Sequence, residues 1–485
     1  MSTTTLGYSN PPTQNAGSEP AASGRFYRVV WRWHFYAGLF VIPVLLILAI
    51  TGSIYLFKPQ LDRWMYRELM FVEPGAAALS YDRQLDAARA AYPTAKLTKF
   101  TPAVTADRSA EVGLTTRDGH DLAVFVNPYT GKVLGERDEH ANLQAYARKI
   151  HGELMIGKVG DTIVELAACW ALVLIVSGVY MWWPRHGSAI WGTLLPRLHA
   201  DGRTFWRDLH AVPGFYGALL VVFLVLTGLP WAGFWGDNFA KVWSRYPEFM
   251  WDSAPNAKQL TAALNQNGVQ TVAWAAEQLP MPKSIVPGHA EHQSSASAST
   301  SAASAEGQSA MPVSLGGIIA LAQANGVTPG YSVSLPGDAE AVYTVSAVPN
   351  DPTLERTLHI DQYSGKVLAD LGWAQYGPVP KAVEFGIAIH MGKYFGLANQ
   401  LLMLAICLIV ITLTITGAVM WWRRRPAGRL GAPAMPANFP LWKTAVAIIA
   451  VLGVAFPFVG ISLVAVLLVD YLVISRIRPL KQALG

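Results

Sequence analysis

His34-Phe-Tyr-Ala-Gly38, followed thirteen residues later by Thr51-Gly52, returns in the same chain as His210-Ala-Val-Pro-Gly214 with Thr227-Gly228 at the same distance. A second set of stretches matches in the same way. His151 and Gly157 lead to Ser177-Gly178 and Met181-Trp182-Trp183, while His390 and Gly396 lead to Thr416-Gly417 and Met420-Trp421-Trp422. The chain therefore reads as a duplication, and four histidines fall into two equivalent pairs. A repeat of this kind governs the reading of everything around it, because each unit interprets the other.

Between and after these motifs run stretches of about 20 predominantly apolar residues, 35–57, 162–183, 212–233 and 397–422, the length needed to cross ~30 Å of hydrocarbon as a helix. With 52% hydrophobic and 14% charged residues, composition agrees with an integral membrane protein, since soluble domains carry roughly 25% charge. The formal charge of +5 points to no nucleic-acid partner, because the basic residues gather at the span edges. Arg25, Arg28 and Arg32 precede the first span; Arg185, Arg197, Arg203 and Arg207 lie in the loop 184–209; Arg423, Arg424, Arg425, Arg429 and Lys443 follow the fourth. Short basic loops stay in the cytoplasm. The long segments 58–160 and 234–390 are then expected in the periplasm of a bacterial inner-membrane protein that keeps its N-terminus inside.

Residues 1–24, rich in Ser, Thr, Pro and Ala, are expected to be a disordered cytoplasmic tail, and the first span a retained anchor, too long an apolar run for a cleaved signal. Repeat 1 covers 25–183, repeat 2 covers 210–422, and 423–485 holds a basic loop and a further apolar segment at 441–475. Phe456-Pro457-Phe458-Val459-Gly460 interrupts that segment. A tight hairpin makes six spans in all; one tilted helix makes five. Cys169 and Cys407 fall mid-span, one per repeat, and read as packing thiols rather than a disulfide framework.

Each long segment has soluble patterning. The first predicts a helix over 80–92 and strands near 96–103, 110–116 and 121–127, then a turn in Asn127-Pro-Tyr-Thr-Gly-Lys-Val-Leu134. The second predicts a helix near 314–325, strands near 331–335, 341–347 and 355–361, and the same turn in Asp361-Gln-Tyr-Ser-Gly-Lys-Val-Leu368. Two small α+β domains, one per repeat, follow from this pattern. The Ser- and Ala-dominated stretch 284–311 reads as a low-complexity insertion in the second.

A helix, an external domain closing on Tyr-(Ser/Thr)-Gly-Lys-Val-Leu, and a second helix ending in Met-Trp-Trp, all repeated, resembles the PepSY-associated transmembrane-helix proteins over about residues 25–425. These are described as iron-regulated or siderophore-linked inner-membrane proteins and include haem-containing reductases of ferric siderophores. The resemblance implies PepSY folds for the external domains, haem b at two per chain, and a periplasmic ferric siderophore as electron acceptor.

A single histidine at a membrane boundary is ordinarily an interfacial polar residue. Matched pairs related by an axis along the membrane normal have a further use: with the resemblance, His34 with His210 on the cytoplasmic side and His151 with His390 on the periplasmic side are the expected axial ligands of two haem irons, and from the residues alone a bare metal site or a proton relay is the alternative. Arg28, Arg32, Arg203 and Arg207 flank the first pair, and Arg148, Lys149 and Lys393 the second. They are candidate propionate partners, with the alternative that they set topology beside lipid phosphates. The four tryptophans of the Met-Trp-Trp motifs read as an interfacial belt, and the (Ser/Thr)-Gly pairs as close-packing positions. His120, His140, His186, His199, His289, His292 and His359 read as surface residues.

No Gly-x-Gly-x-x-Gly follows a strand, so a cytoplasmic donor or a membrane quinol must supply electrons. Rival readings are a siderophore or small-molecule transporter and a non-catalytic sensor or scaffold. Neither needs paired histidines. A peptidase lacks its motifs, since neither His-Glu-x-x-His nor Gly-x-Ser-x-Gly occurs.

Overall fold

The computed structural model describes residues 22–184, 190–243, 259–287 without 269, 311–431 without 428, and parts of 447–477. The proposed tail 1–24 and the low-complexity stretch 284–311 lie largely outside the described residues. Four helices are long and apolar enough to cross a membrane: α1 (Ala22–Leu56), α6 (Lys158–Trp182), α7 (Gly202–Gly228) and α11 (Gly396–Arg424). They cover most of each span expected from hydropathy and start earlier, α7 by ten residues, while α7 ends at Gly228, five residues short of the expected 233. Extension past the apolar core costs nothing where the added residues, such as Arg203 and Arg207, face water.

Of the segment 441–475, α12 (Pro457–Val469) is described, a helix of 13 residues. Pro457 opens it, as the interruption predicts. The remainder of the expected hairpin, and with it the expectation of five or six spans, falls largely outside the described residues.

The polar segments contribute α2 (Lys58–Met65), α3 (Arg67–Met70), α4 (Tyr81–Ala91), β1 (Lys96–Thr101), β2 (Ala110–Thr115), β3 (Asp121–Val126), β4 (Val133–Asp138) and α5 (Leu143–Glu153) before α6. After α7 come α8 (Gly233–Trp243), α9 (Leu315–Ala324), β5 (Ser332–Ser334), β6 (Val342–Ala347), β7 (Arg356–Asp361), β8 (Val367–Gly372) and α10 (Pro378–His390). All eight strands form one antiparallel sheet in the order β4-β3-β2-β1-β5-β6-β7-β8.

This corrects the expectation of two separate small domains. The halves join where β1 pairs with β5, Lys99 opposite Ser334 and Phe100 opposite Val333. The physical reason is the inner edge of each four-stranded half: pairing them satisfies two rows of backbone groups and leaves only β4 and β8 as edges. α4 and α9 then cover one continuous core containing Leu85, Phe100, Val112, Val124, Ile318, Val333, Val345 and Leu358. Asp82 in α4 ties the helices together by accepting the Leu315 and Gly316 N–H groups at the start of α9, at 2.9 and 3.2 Å.

The repeated turn joins β3 to β4 and β7 to β8. Asn127 Oδ1 accepts the Tyr129 and Thr130 N–H groups, and Asp361 Oδ1 those of Tyr363 and Ser364. Gly131 and Gly365 close the turns with φ of 71° and 69°, a left-handed conformation that a side chain would strain. Phe100 sits at the seam, fully buried and edge-on to Tyr81. Phe100→Ala is expected to lose about 3–5 kcal/mol of stability; a detergent-solubilised chain whose thermal unfolding is unchanged would contradict the single-core description.

Packing divides the chain into two units: Met1–Val41, Trp170–Phe215 and Thr416–Gly485 in one, Ile42–Cys169 and Tyr216–Ile415, with the whole sheet, in the other. One histidine pair lies in each.

Candidate histidine sites

In the first unit, His34 comes from α1 and His210 from α7. Their rings stand 6.5 Å apart between centroids, with planes 88° apart. His34 Nδ1 lies 2.8 Å from Ser177 Oγ of α6, and His210 Nδ1 lies 3.0 Å from Thr416 Oγ1 of α11. In the second unit α1 and α7 carry the hydroxyls instead. His151 Nδ1 lies 3.1 Å from Thr51 Oγ1 of α1, and His390 Nδ1 lies 2.8 Å from Thr227 Oγ1 of α7.

Each hydroxyl is the Ser or Thr of a repeated (Ser/Thr)-Gly pair, so these positions hold imidazoles rather than merely closing helices together. The glycines belong to the same arrangement. A Cβ at Gly178 would stand 3.3 Å from His34 Cε1, at Gly52 3.3 Å from His151 Cε1, and at Gly228 3.6 Å from His390 Cε1. On α10, Gly386 admits Thr227, whose Cγ2 would lie 2.7 Å from an added Cβ.

The hydroxyls settle the tautomer. Ser177, Thr51 and Thr227 each donate their one proton to the backbone carbonyl four residues earlier, of Val173, Ile47 and Phe223, at 2.7–2.8 Å. A hydroxyl so committed accepts from Nδ1. The carbonyls of Leu174, Leu48 and Leu224 also face His34, His151 and His390, and a carbonyl only accepts. Nδ1 therefore carries the proton in these three rings, and Nε2 keeps its lone pair. A ligating histidine has this form, with its second nitrogen donating to an orienting oxygen.

Two axial nitrogens about 2 Å from a shared metal place their ring centroids about 6 Å apart, which the His34/His210 separation fits. In the second unit, burial disfavours the charged form of both His151 and His390, and the nearness of His151 adds to the effect at His390. Among the described residues no group of three or more His, Cys, Asp or Glu side chains is arranged to hold a metal ion. Each site thus offers two nitrogens.

The sequence places His151 and His390 at the head of membrane helices; the structure places them on separate short helices. α5 ends in the left-handed residues Leu154 and Met155 before α6 begins, and α10 ends at His390 itself, followed by a turn at Gly392 with φ of 69°. These folds back present the imidazoles to α1 and α7.

The cationic candidates have mixed fates. Arg207 is bound to Asp208, which Arg197 also holds through Nε at 2.6 Å. Arg32 lies over the Tyr36 ring at 5.0 Å. Arg28 and Lys149 are half-buried and Arg203 is exposed. Arg148 acts on Tyr55, and Lys393 acts on Glu355 and Glu384 in the sheet unit.

The sequence groups Arg424 with the topology-setting basic residues; in the structure its guanidinium lies over Trp31 and Phe35, at 4.7 and 5.3 Å, close to His34 in sequence. Its Nε is buried without a hydrogen-bond partner, and Arg203 is close enough to repel it. The signal available was the spacing: Arg424 follows the His210-binding Thr416 by eight residues, two helical turns.

His359 overturns its surface reading. It is fully buried on β7, between Thr344 Oγ1 at 2.8 Å and Thr261 Oγ1 at 3.1 Å. Alternation along β7 turns it to the sheet face that residues 259–281 cover, a layer invisible in the strand itself. His120 does stand exposed beside Asp138, and His140 is half-buried beside Asp121. His186, His289 and His292 lie outside the described residues. Trp183 and Trp422 are exposed, as a belt requires, whereas Trp182 and Trp421 donate to the Thr193 and Leu430 carbonyls, both at 2.9 Å.

Residues 31–424 match the PepSY-associated TM region family. The chain belongs to that family. The match includes all four histidines and all four hydroxyl partners, so the paired sites of this PepSY-associated chain lie wholly inside the family region. A search of curated proteins finds no individual relative that matches.

Proposed function

We propose that this membrane protein holds two haems, one between His34 and His210 and one between His151 and His390, and passes electrons from a cytoplasmic donor or membrane quinol to a periplasmic ferric acceptor such as a ferric siderophore. The single observation that carries this reading is the fourfold His–hydroxyl contact. Each imidazole is held through Nδ1, which in His34, His151 and His390 leaves Nε2 with its lone pair, and the 6.5 Å between the His34 and His210 rings suits two ligands on one metal. A haem brings four nitrogens of its own and needs two more, which is what each site has. Bound there, it would supply one-electron transfer.

The chain's residues do the rest. Ser177, Thr416, Thr51 and Thr227 orient the imidazoles. Gly178, Gly52 and Gly228 leave room for their edges. Arg424 and Arg203 place two cations together near Trp31 and Phe35, a setting suited to the carboxylates of a cofactor. The matching contacts of α1 with His151 and of α7 with His390 support a duplicated unit, and the basic short loops support a periplasmic sheet in the inner membrane. Reduction of a ferric siderophore to the ferrous form weakens its hard oxygen ligation and frees the metal.

A transporter or a scaffold has no use for four imidazoles each held through Nδ1 by a hydroxyl, and haem content separates these readings. The reduced-minus-oxidised visible spectrum of the purified protein, with haem quantified against protein, is expected to show low-spin b-type bands at two haems per chain. Reduction of a ferric siderophore by pre-reduced protein is the assay that follows. A chain that binds no haem when haem is plentiful sinks the proposal.

A further inference from the structure

Beneath the second half of the sheet lies a buried group of acids that the paired histidines do not use. Glu384 is on α10, six residues before His390, and is 1% exposed; its Oε1 accepts the Ala275 N–H at 2.8 Å. Glu355, 4% exposed, follows the short turn Pro352–Leu354 against which α10 packs, and its Oε2 is buried with no hydrogen-bond partner. The two carboxyls lie close enough to act on each other, and Tyr376 stands near Glu355. Lys393 is the cation acting on both, and Lys58 in turn acts on Lys393. Lys381, also on α10, is turned to the Trp373 ring at 5.6 Å.

The acids continue outward. Glu384 is influenced by Glu277, which accepts from Asn265 Nδ2 at 2.7 Å, and Glu277 by Asp237 on α8. Asp237 is exposed and Glu277 half-buried. Exposure thus falls stepwise from Asp237 to Glu277 to the buried pair.

Two carboxylates this close cannot both stay ionised cheaply in a buried setting. Burial pushes both Glu355 and Glu384 above the usual carboxyl range, and their mutual repulsion raises Glu355 further. Burial also pulls the Lys393 ammonium down. A proton shared by the pair relieves the repulsion and provides a donor for a buried oxygen that otherwise has no partner.

We propose that Glu355 and Glu384 form a proton-holding site, filled from the aqueous side by way of Asp237 and Glu277, that takes up a proton when an electron reaches the His151/His390 pair. The proton site stands on the acids themselves; its coupling to the electron rests on the functional reading above. Charge balances: a group held by the pair would take one electron from the reductant, a donor of quinol or dithionite type, and one carboxylate gains one proton from water. Six helical residues rise about 9 Å, and at that range an added negative charge raises the proton affinity of a buried acid roughly tenfold.

The test is a potentiometric titration of the full chain over a range of pH, following the spectral component that His390→Ala abolishes. Its midpoint potential is expected to fall by about 59 mV in total as pH rises through the titration of the pair, the equivalent of a tenfold change for one electron. Glu384→Gln and Glu355→Gln should each flatten the curve while keeping two haems per chain. Asp237→Asn should keep the full fall but slow the response to a pH jump. A flat curve in the native protein with both haems bound, or a fall that survives in both glutamine variants, overturns the proposal.

Haem counted on the same samples keeps the two ideas apart. If none binds, the functional reading fails, and the infrared band of a protonated carboxyl decides the proton site. Its presence near neutral pH and loss in either variant supports the site; its absence from the native chain rejects it.

Discussion

Replacing His34 or His210 by alanine is expected to remove one haem of the two and leave the other in place, and replacing His151 or His390 to do the converse. Each pair lies within its own packing unit, and each ring is held by a hydroxyl of that same unit. Loss of one imidazole therefore leaves the other pair with all its contacts. The checks are haem stoichiometry and the reduced spectrum of each purified variant: half the haem, and one of two overlapping sets of bands. Transfer from a reductant on one side to an acceptor on the other should fall at least a hundredfold in all four variants, because a transmembrane path needs both carriers. Stoichiometry unchanged in every variant, or lost entirely in each, would show that the pairs do not act as separate sites.

The second large effect concerns residues that bind nothing themselves. Thr51→Val keeps the shape of the side chain and removes the oxygen to which His151 Nδ1 is bound at 3.1 Å; Ser177→Ala does the same for His34, bound at 2.8 Å. Without that acceptor the imidazole loses part of its orientation and the bias towards the Nδ1–H tautomer. Partners of this type are typically worth about 10–100-fold in metal affinity. Gly52→Val and Gly178→Val should act more severely. The Cβ alone would already stand 3.3 Å from the imidazole Cε1, and the two added methyl groups force the ring out of place. Haem retention during dilution and the low-spin character of the spectrum measure both effects. Thr51→Val should weaken only the His151/His390 site, and Ser177→Ala only the His34/His210 site. Full retention by the hydroxyl and glycine variants alike would mean that these contacts are incidental to binding.

Much of this was legible in the residues. The four long helices follow from runs of apolar side chains, which need no partner to declare themselves in a bilayer. Six of the eight strands lie where alternation predicts them. The two that escaped prediction, β4 and β8, are the sheet edges; Val-Leu-Gly-Glu-Arg-Asp and Val-Leu-Ala-Asp-Leu-Gly lack the apolar continuity of strands buried on both sides. α5 and α10 also escaped, because each is a short helix directly ahead of a membrane span and reads in sequence as part of the approach to it.

The sequence by itself determined that this is a membrane protein, that its motifs occur twice, and that four histidines stand in equivalent positions, since periodicity and offset are properties of the chain alone. Only the tertiary structure decided that the two external segments share one sheet through β1 and β5, that His359 is buried, and that Ser177, Thr416, Thr51 and Thr227 hold the histidines. Those residues are up to 206 positions from the rings they contact. A hydroxyl on an apolar helix looks the same in sequence whether it closes two helices together or carries the orienting contact of an imidazole. The difference lies in which side chain the neighbouring helix brings to it, and that is fixed by packing across helices rather than by order along one.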